Sequence, residues 1–125
     1  MATILIVEDN PANMRLTRNI LASQGFSVVE APSGEEAMRL LEKQKPDLIL
    51  MDLQLPGVDG LSLTRRIKAD PRTREIPTIA LTACANDGDE VRVISAGCSG
   101  YVTKPVSAAS LAREIAALLP AKAAS

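Results

Sequence analysis

The sequence predicts an α/β fold: one five-stranded parallel sheet with helices on both faces. Three observations predict it. Short apolar runs alternate five times with segments of helical periodicity, which is the pattern of repeated βα units. The run Leu48–Met51 is apolar throughout, not alternating, and so suits a strand covered on both faces. The 125 residues, 46% of them hydrophobic, contain no repeat, linker or low-complexity stretch, which is the size and composition of one domain with a real core.

The elements follow in order. Ile4–Val7 is the first apolar run and ends in Glu8-Asp9-Asn10. Asn10 is a plausible N-cap, and Pro11 suits the first turn of the helix after it. Met14, Thr17 and Leu21 recur at helical spacing, as do Leu16 and Ile20, and Gly25 ends the helix. Phe26–Glu30 is a second strand. Ser33 caps a second helix with Glu36 as its capping-box partner, and Ala37, Leu40 and Leu41 form the inner face. Pro46 precedes the third strand, Leu48–Met51, at whose end stands Asp52. A third helix begins at Asp59 or Gly60, runs through Leu63 and Ile67, and ends near Asp70-Pro71. Ile76–Leu81 is the fourth strand, closing in Thr82-Ala83-Cys84. A polar segment then leads into a weaker helix whose apolar residues are Val91 and Ile94, ended by Gly97. Gly100–Thr103 is the fifth strand, followed by Lys104-Pro105. Ser107 or Ser110 caps a last helix striped by Leu111, Ile115, Leu118 and Leu119, and the tail beyond is expected to fray. Right-handed crossovers leave few topologies for such a chain. The order 2-1-3-4-5 is taken by analogy from the flavodoxin-like doubly wound sheet.

Composition excludes several classes. The net charge of −1 and pI near 5.4 leave no broad basic surface, so direct nucleic-acid binding is not expected. No apolar run approaches the ~20 residues that span a bilayer, and no basic region precedes the first strand, so neither a membrane segment nor a signal peptide is expected. The expected compartment is cytoplasmic. Cys84 and Cys98 make no C-x-x-C pair and no metal pattern, and read as ordinary buried thiols. Histidine is absent, so chemistry falls to carboxylates, hydroxyls, Lys or Arg.

In the borrowed order, strands one and three are neighbours at the switch point, where open α/β sheets bind ligands. Glu8, Asp9 and Asp52 then converge. Three packed carboxylates repel one another unless compensated. A magnesium ion is the natural compensation, because it takes oxygen ligands and keeps several waters. Zinc is a poor candidate without His or a Cys cluster. Thr82 and Lys104 end strands four and five on the same edge. A carboxylate nucleophile, a cation, a hydroxyl and a lysine together suit phosphoryl transfer to Asp52. Each feature alone has a plainer use. A Glu-Asp pair or a lone Asp after a strand is ordinary turn and capping chemistry, Thr82 a turn hydroxyl, Lys104 a solvated charge, and Tyr101 half-buried packing. Their placement on one edge distinguishes the set.

At these residues the chain resembles the receiver domains of two-component response regulators. The resemblance runs from Ile4 to about Leu119. It rests on Leu5–Asn10, Pro46–Asp52, Leu55–Gly60, Ile79–Ala83 and Gly100–Pro105, in that order. Glu8-Asp9-Asn10 with Asn13 looks most like single-domain regulators of the cell-division type and receivers of hybrid kinases. The resemblance implies that residues 1–125 form a single receiver domain, with a core of about 3–119. It makes Asp52 the phosphoacceptor. Asp9 would bind Mg2+ directly and Glu8 through water, and the Gln54 backbone carbonyl would complete the protein ligands. Thr82 would hydrogen-bond the phosphoryl group, Lys104 would pair with it, and Tyr101 is the switch aromatic. The Lys104-Pro105 peptide is expected to be cis, and Ala83 is small enough to leave the acyl phosphate accessible. Glu8, where many members have Asp, is the one departure.

The implied donor is a histidine kinase or a histidine phosphotransfer protein. It would dock on Asn10, Pro11, Asn13, Met14, Pro105 and Val106. Output would pass through the fourth helix, fifth strand and fifth helix to a downstream protein; no effector segment follows Leu119 in this sequence, so output is expected by protein contact unless the chain is a piece of a longer one. The chain is then not an enzyme, beyond assisting its own phosphorylation and slow dephosphorylation. Two other functions fit parts of this pattern. A magnesium-dependent aspartyl-phosphate phosphatase of the haloacid dehalogenase type wants a second Asp where Gln54 stands. A receiver that binds proteins without phosphorylation would leave a complete site unused. A flavodoxin-type cofactor site fails for want of a Ser/Thr/Gly-rich loop after strand one.

Overall fold

The centre of the molecule is a strand with no exposed residue. β3 (Leu48–Asp52) is buried along its whole length, as the unbroken apolar run requires. The computed structural model describes residues 2–53, 60–82, 87–104 and 106–118, with residues 87–90 described by their backbone alone. Around β3 the chain alternates β1 (Thr3–Val7), α1 (Pro11–Ser23), β2 (Ser27–Ala31), α2 (Gly34–Lys43), α3 (Gly60–Ala69), β4 (Thr78–Thr82), α4 (Asp87–Ser95), β5 (Gly100–Thr103) and α5 (Ala108–Leu118). The strands form one parallel sheet in the order β2-β1-β3-β4-β5, as the analogy predicts.

Strand periodicity divides the core in two. Ile4, Ile6, Leu48, Leu50, Ile79 and Leu81 meet Met14 and Leu21 of α1 and Leu111 and Ile115 of α5. Leu5, Val7, Ile49 and Met51 meet Ala37 and Leu41 of α2 and Leu63 and Ile67 of α3. A smaller cluster of Leu61, Ala80, Val93, Ala96 and Cys98 lies under α4, with Tyr101 and Leu53 against it. Each fully buried Leu or Ile contributes about 1.5–3 kcal/mol.

The helix ends form as their residues dictate. The Asn10 side chain accepts from the N–H groups of Ala12 and Asn13 at 2.9 and 3.1 Å. Ser33 Oγ accepts from the Glu36 N–H at 3.2 Å. Ser107 is the cap of α5, its Oγ accepting from the Ser110 N–H at 3.1 Å. Gly25 closes α1 at φ +89°, a left-handed conformation suited to glycine.

Two helix faces differ from expectation. Val91 and Ile94 of α4 are 65% and 53% exposed, and Val93 with Ala96 is buried instead. The helix offers two short apolar faces, and the face carrying Val93 is the one that turns to the sheet. On α1, Met14 is core and Leu16 is 42% exposed, while Ile20 of the same stripe as Leu16 packs partly against the core. Strand limits move by a residue or two: β2 runs to Ala31, and β4 opens at Thr78 and takes in Thr82. Cys98 is buried. Gln54, Ala83, Cys84, Pro105, Leu119 and the tail lie outside the described residues.

Candidate functional site

Strand register assembles the site. Val7 is paired with Met51, Asp52 with Leu81, and Thr82 with Thr103. The last residues of β3 and β4, Asp52 and Thr82, and the residues one step past β1 and β5, Glu8 and Lys104, therefore come to a single edge. Backbone bonds carry the ladder past the strands and hold these positions. The Glu8 N–H donates to the Ala31 carbonyl at 3.1 Å, Leu53 to Leu81 at 3.1 Å, and Lys104 to Thr82 at 2.7 Å. Alternation along the strands sends Glu8, Asp52 and Lys104 to the α1/α5 side of the sheet, and Thr82 to the side of Ala80 and Tyr101.

Lys104 is the pivot of the first group. Its Nζ lies 3.1 Å from Glu8 Oε1 and 3.1 Å from Asp52 Oδ1. Both carboxylates are nearly inaccessible, Glu8 at 2% and Asp52 at 1% exposure. Burial alone would lower the Lys104 ammonium, but hydrogen bonds and charge from Asp52 and Glu8 outweigh it and hold the group above its ordinary value. Glu8 moves the other way for a carboxylate. Burial, and then the neighbouring Asp52, push it from 4.5 up to about 7. Its Oε2 accepts from the Asn10 N–H at 3.2 Å. Its Oε1 is buried and receives no well-directed hydrogen bond, despite the nearby ammonium.

Asp9 supplies the exposed member of the cluster. One carboxylate oxygen from each of Glu8, Asp9 and Asp52 lies within 4.8 Å of the others. This all-oxygen donor set, with the under-satisfied Glu8 oxygen, fits a hard divalent cation. Gln54 lies outside the described residues. Thr82 is buried at the same edge. Tyr101 is half-buried against Leu61, Ala80, Val93, Ala96 and Cys98, so its ring borders the space on Thr82's side of the sheet.

On the outer side, a groove of about 420 Å3 runs from Asp9 along Pro11, Arg15 and Arg18 to Pro32. Met14, expected at a docking surface, is mostly buried in the core but also lines this groove. Leu16 is the exposed large apolar side chain of α1. Helical spacing could not say which stripe faced outward. The Asn10 N–H on Glu8 left no sequence signal at all, because it is a backbone group.

The match to known proteins covers almost all of this architecture. Residues 4–116 match the response regulator receiver domain family. The polar-differentiation response regulator DivK of Brucella ovis is 47% identical over 105 residues, which are 84% of this chain and 85% of that protein. A putative response regulator from Chloroflexus aurantiacus superimposes with a TM-score of 0.91 at 32% identity, covering 95% of this chain and 98% of that one. The receiver domain of sensor histidine kinase PA1611 from Pseudomonas aeruginosa superimposes with a TM-score of 0.87 at 41% identity, over 96% of this chain and 98% of that one. That structure has a magnesium ion coordinated in its active-site cleft. With the sheet order, the acidic cluster and the lysine at the end of β5, these matches show that the chain belongs to the response regulator receiver domain family.

Proposed function

We propose that this receiver domain is a phosphorylation-activated switch that takes a phosphoryl group from a phosphohistidine donor onto Asp52. The observation that carries the reading is Lys104, whose ammonium reaches both Asp52 and Glu8 at the carboxyl edge of the sheet. An Asp52 oxygen attacks phosphorus, the P–N bond of the phosphohistidine breaks, and the imidazole leaves with the bonding electron pair and takes up a proton. Lys104 is placed to follow the incoming charge, exchanging part of its hold on the carboxylates for the phosphoryl oxygens. Asp9, Glu8 and Asp52 would hold Mg2+, with Gln54 contributing its carbonyl. The bound ion would supply positive charge beside the transferring group and quench the repulsion among the acids.

The Thr82 hydroxyl would hydrogen-bond the phosphoryl group. Its movement would open room for Tyr101 to turn inward, since both lie on the same side of the sheet. The face made by α4, β5 and α5 would then change its packing for a downstream protein partner. A histidine kinase or histidine phosphotransfer protein would dock over α1 and the segment after β5, where Asn10, Pro11, Arg15 and Leu16 are exposed and Val106 is half-buried. The chain would act as phosphoacceptor, without turnover of free phosphate esters. Transfer from candidate kinases or phosphotransfer proteins, read by intact mass, tests the reading. Wild type should gain one phosphoryl group and Asp52→Asn none. Equal labelling of the variant would refute the assignment.

A further inference from the structure

We propose that Gly60 is a positioning residue for the acceptor carboxylate, and that its missing side chain lets the start of α3 bear on the Asp52–Leu53 peptide. The inference rests on the phosphoacceptor reading of Asp52. A Cβ built on Gly60 would fall 2.3 Å from the Asp52 carbonyl oxygen, 2.7 Å from Leu53 Cα and 3.0 Å from the Asp52 carbonyl carbon. All three atoms belong to the backbone, so no rotamer change relieves the contact. The same approach lets the Gly60 N–H donate to the Leu53 carbonyl at 3.3 Å. On its other side, Leu53 donates its N–H to Leu81 of β4 at 3.1 Å. The peptide that follows the acceptor is thus clamped between β4 and the first residue of α3.

Any side chain at position 60 must push the end of β3 away from α3 or lift α3 off it. Either movement shifts Asp52 relative to Lys104, now 3.1 Å away, and relative to Glu8 and Asp9. The residue touches neither phosphoryl group nor cation. It acts through the backbone of the residue that does. Gly100 also has a close neighbour, but that is the Glu114 carboxylate, the end of a side chain that can swing aside. Of Gly25, Gly60, Gly97 and Gly100, Gly60 is the one whose closest contacts are all backbone.

The test compares wild type, Gly60→Ala and Gly25→Ala well below their melting temperatures. Gly25 has φ +89° and nothing within 4 Å of its built Cβ, so its substitution strains the backbone far from the site and controls for lost stability. Magnesium affinity, followed by amide chemical shifts, should weaken roughly tenfold in Gly60→Ala, as for groups that orient metal ligands. It should stay at the wild-type value in Gly25→Ala. Labelling of Asp52 by acetyl phosphate should slow about a hundredfold in Gly60→Ala alone, the cost expected of an ångström-scale misplacement. A Gly60→Ala protein that melts lower but binds magnesium like wild type would overturn the proposal. Normal labelling but lost magnesium affinity would do so too. If wild type itself is not labelled, the acceptor reading fails, and the magnesium comparison still decides the role of Gly60.

Should Gly60→Ala not fold, hydrogen exchange on wild type replaces it. Loading with magnesium and beryllofluoride should slow exchange of the Gly60 amide and leave Gly25 unchanged. An unaltered Gly60 amide would refute the clamp.

Discussion

Among the described residues, Glu8 carries the clearest pH signature. Its carboxyl sits at about 7 in the fold against an ordinary 4.5, so the metal-free folded state holds a proton that the unfolded chain has already released. Stability from this group is fully present below about 4.5 and is lost as pH rises through about 7. Metal-free protein should therefore melt higher at pH 6 than at pH 8, and Glu8→Gln should flatten that difference. Thermal melts in chelator across the interval check this. Magnesium favours the ionised carboxylate and should shrink the same slope. At the neighbouring Lys104 the expected defect is kinetic: Lys104→Ala removes a preorganised positive charge and should slow phosphoryl uptake by roughly 10²–10³. Initial rates with acetyl phosphate measure it, and an unchanged rate would remove Lys104 from the chemistry.

Among the elements, β3 and α4 are opposites. Every residue of β3 is buried. Leu50→Ala should cost about 2–5 kcal/mol, through lost transfer energy and the cavity left behind. Denaturant unfolding reads that cost. α4 rests on Val93, with Ala96 just past its end, while Val91 and Ile94 face outward, so little apolar area holds it down. An element so lightly anchored is suited to repacking. Amide exchange in α4 and β5 should differ between the resting protein and protein loaded with magnesium and beryllofluoride. Equal protection in both states would argue against remodelling of that face.

For the whole molecule, the acidic cluster is a store of repulsion at one edge of the sheet. On the proposed function, magnesium would bind the folded chain, where the carboxylates converge, and not the unfolded chain, where they are far apart. The ion should therefore raise the melting temperature, increasingly with concentration. Asp9→Asn should raise the melting temperature of the metal-free protein and blunt the response to magnesium. Calorimetric scans of both proteins with and without the ion check both effects. Among the described residues, no helix is long and apolar enough to cross a membrane.

Much of this was legible before any coordinates. The alternation of apolar runs and helical periods, the caps at Asn10 and Ser33, and the strand-end positions of Glu8, Asp52, Thr82 and Lys104 are local features, carried by spacing and side-chain chemistry. Sheet order needed analogy, because crossovers act between strands that are distant in sequence. Register, and with it the 3.1 Å approach of Lys104 to two acids, comes from backbone pairing that no single strand encodes. Which face of α1 and α4 turned inward was likewise decided by the sheet, since a short helix with two apolar stripes buries whichever set of side chains its neighbours can accommodate. The sequence by itself determined the elements and the chemical repertoire. The tertiary structure decided which of those groups share a pocket, because proximity between positions 8, 52 and 104 exists only once the ladders between them have formed.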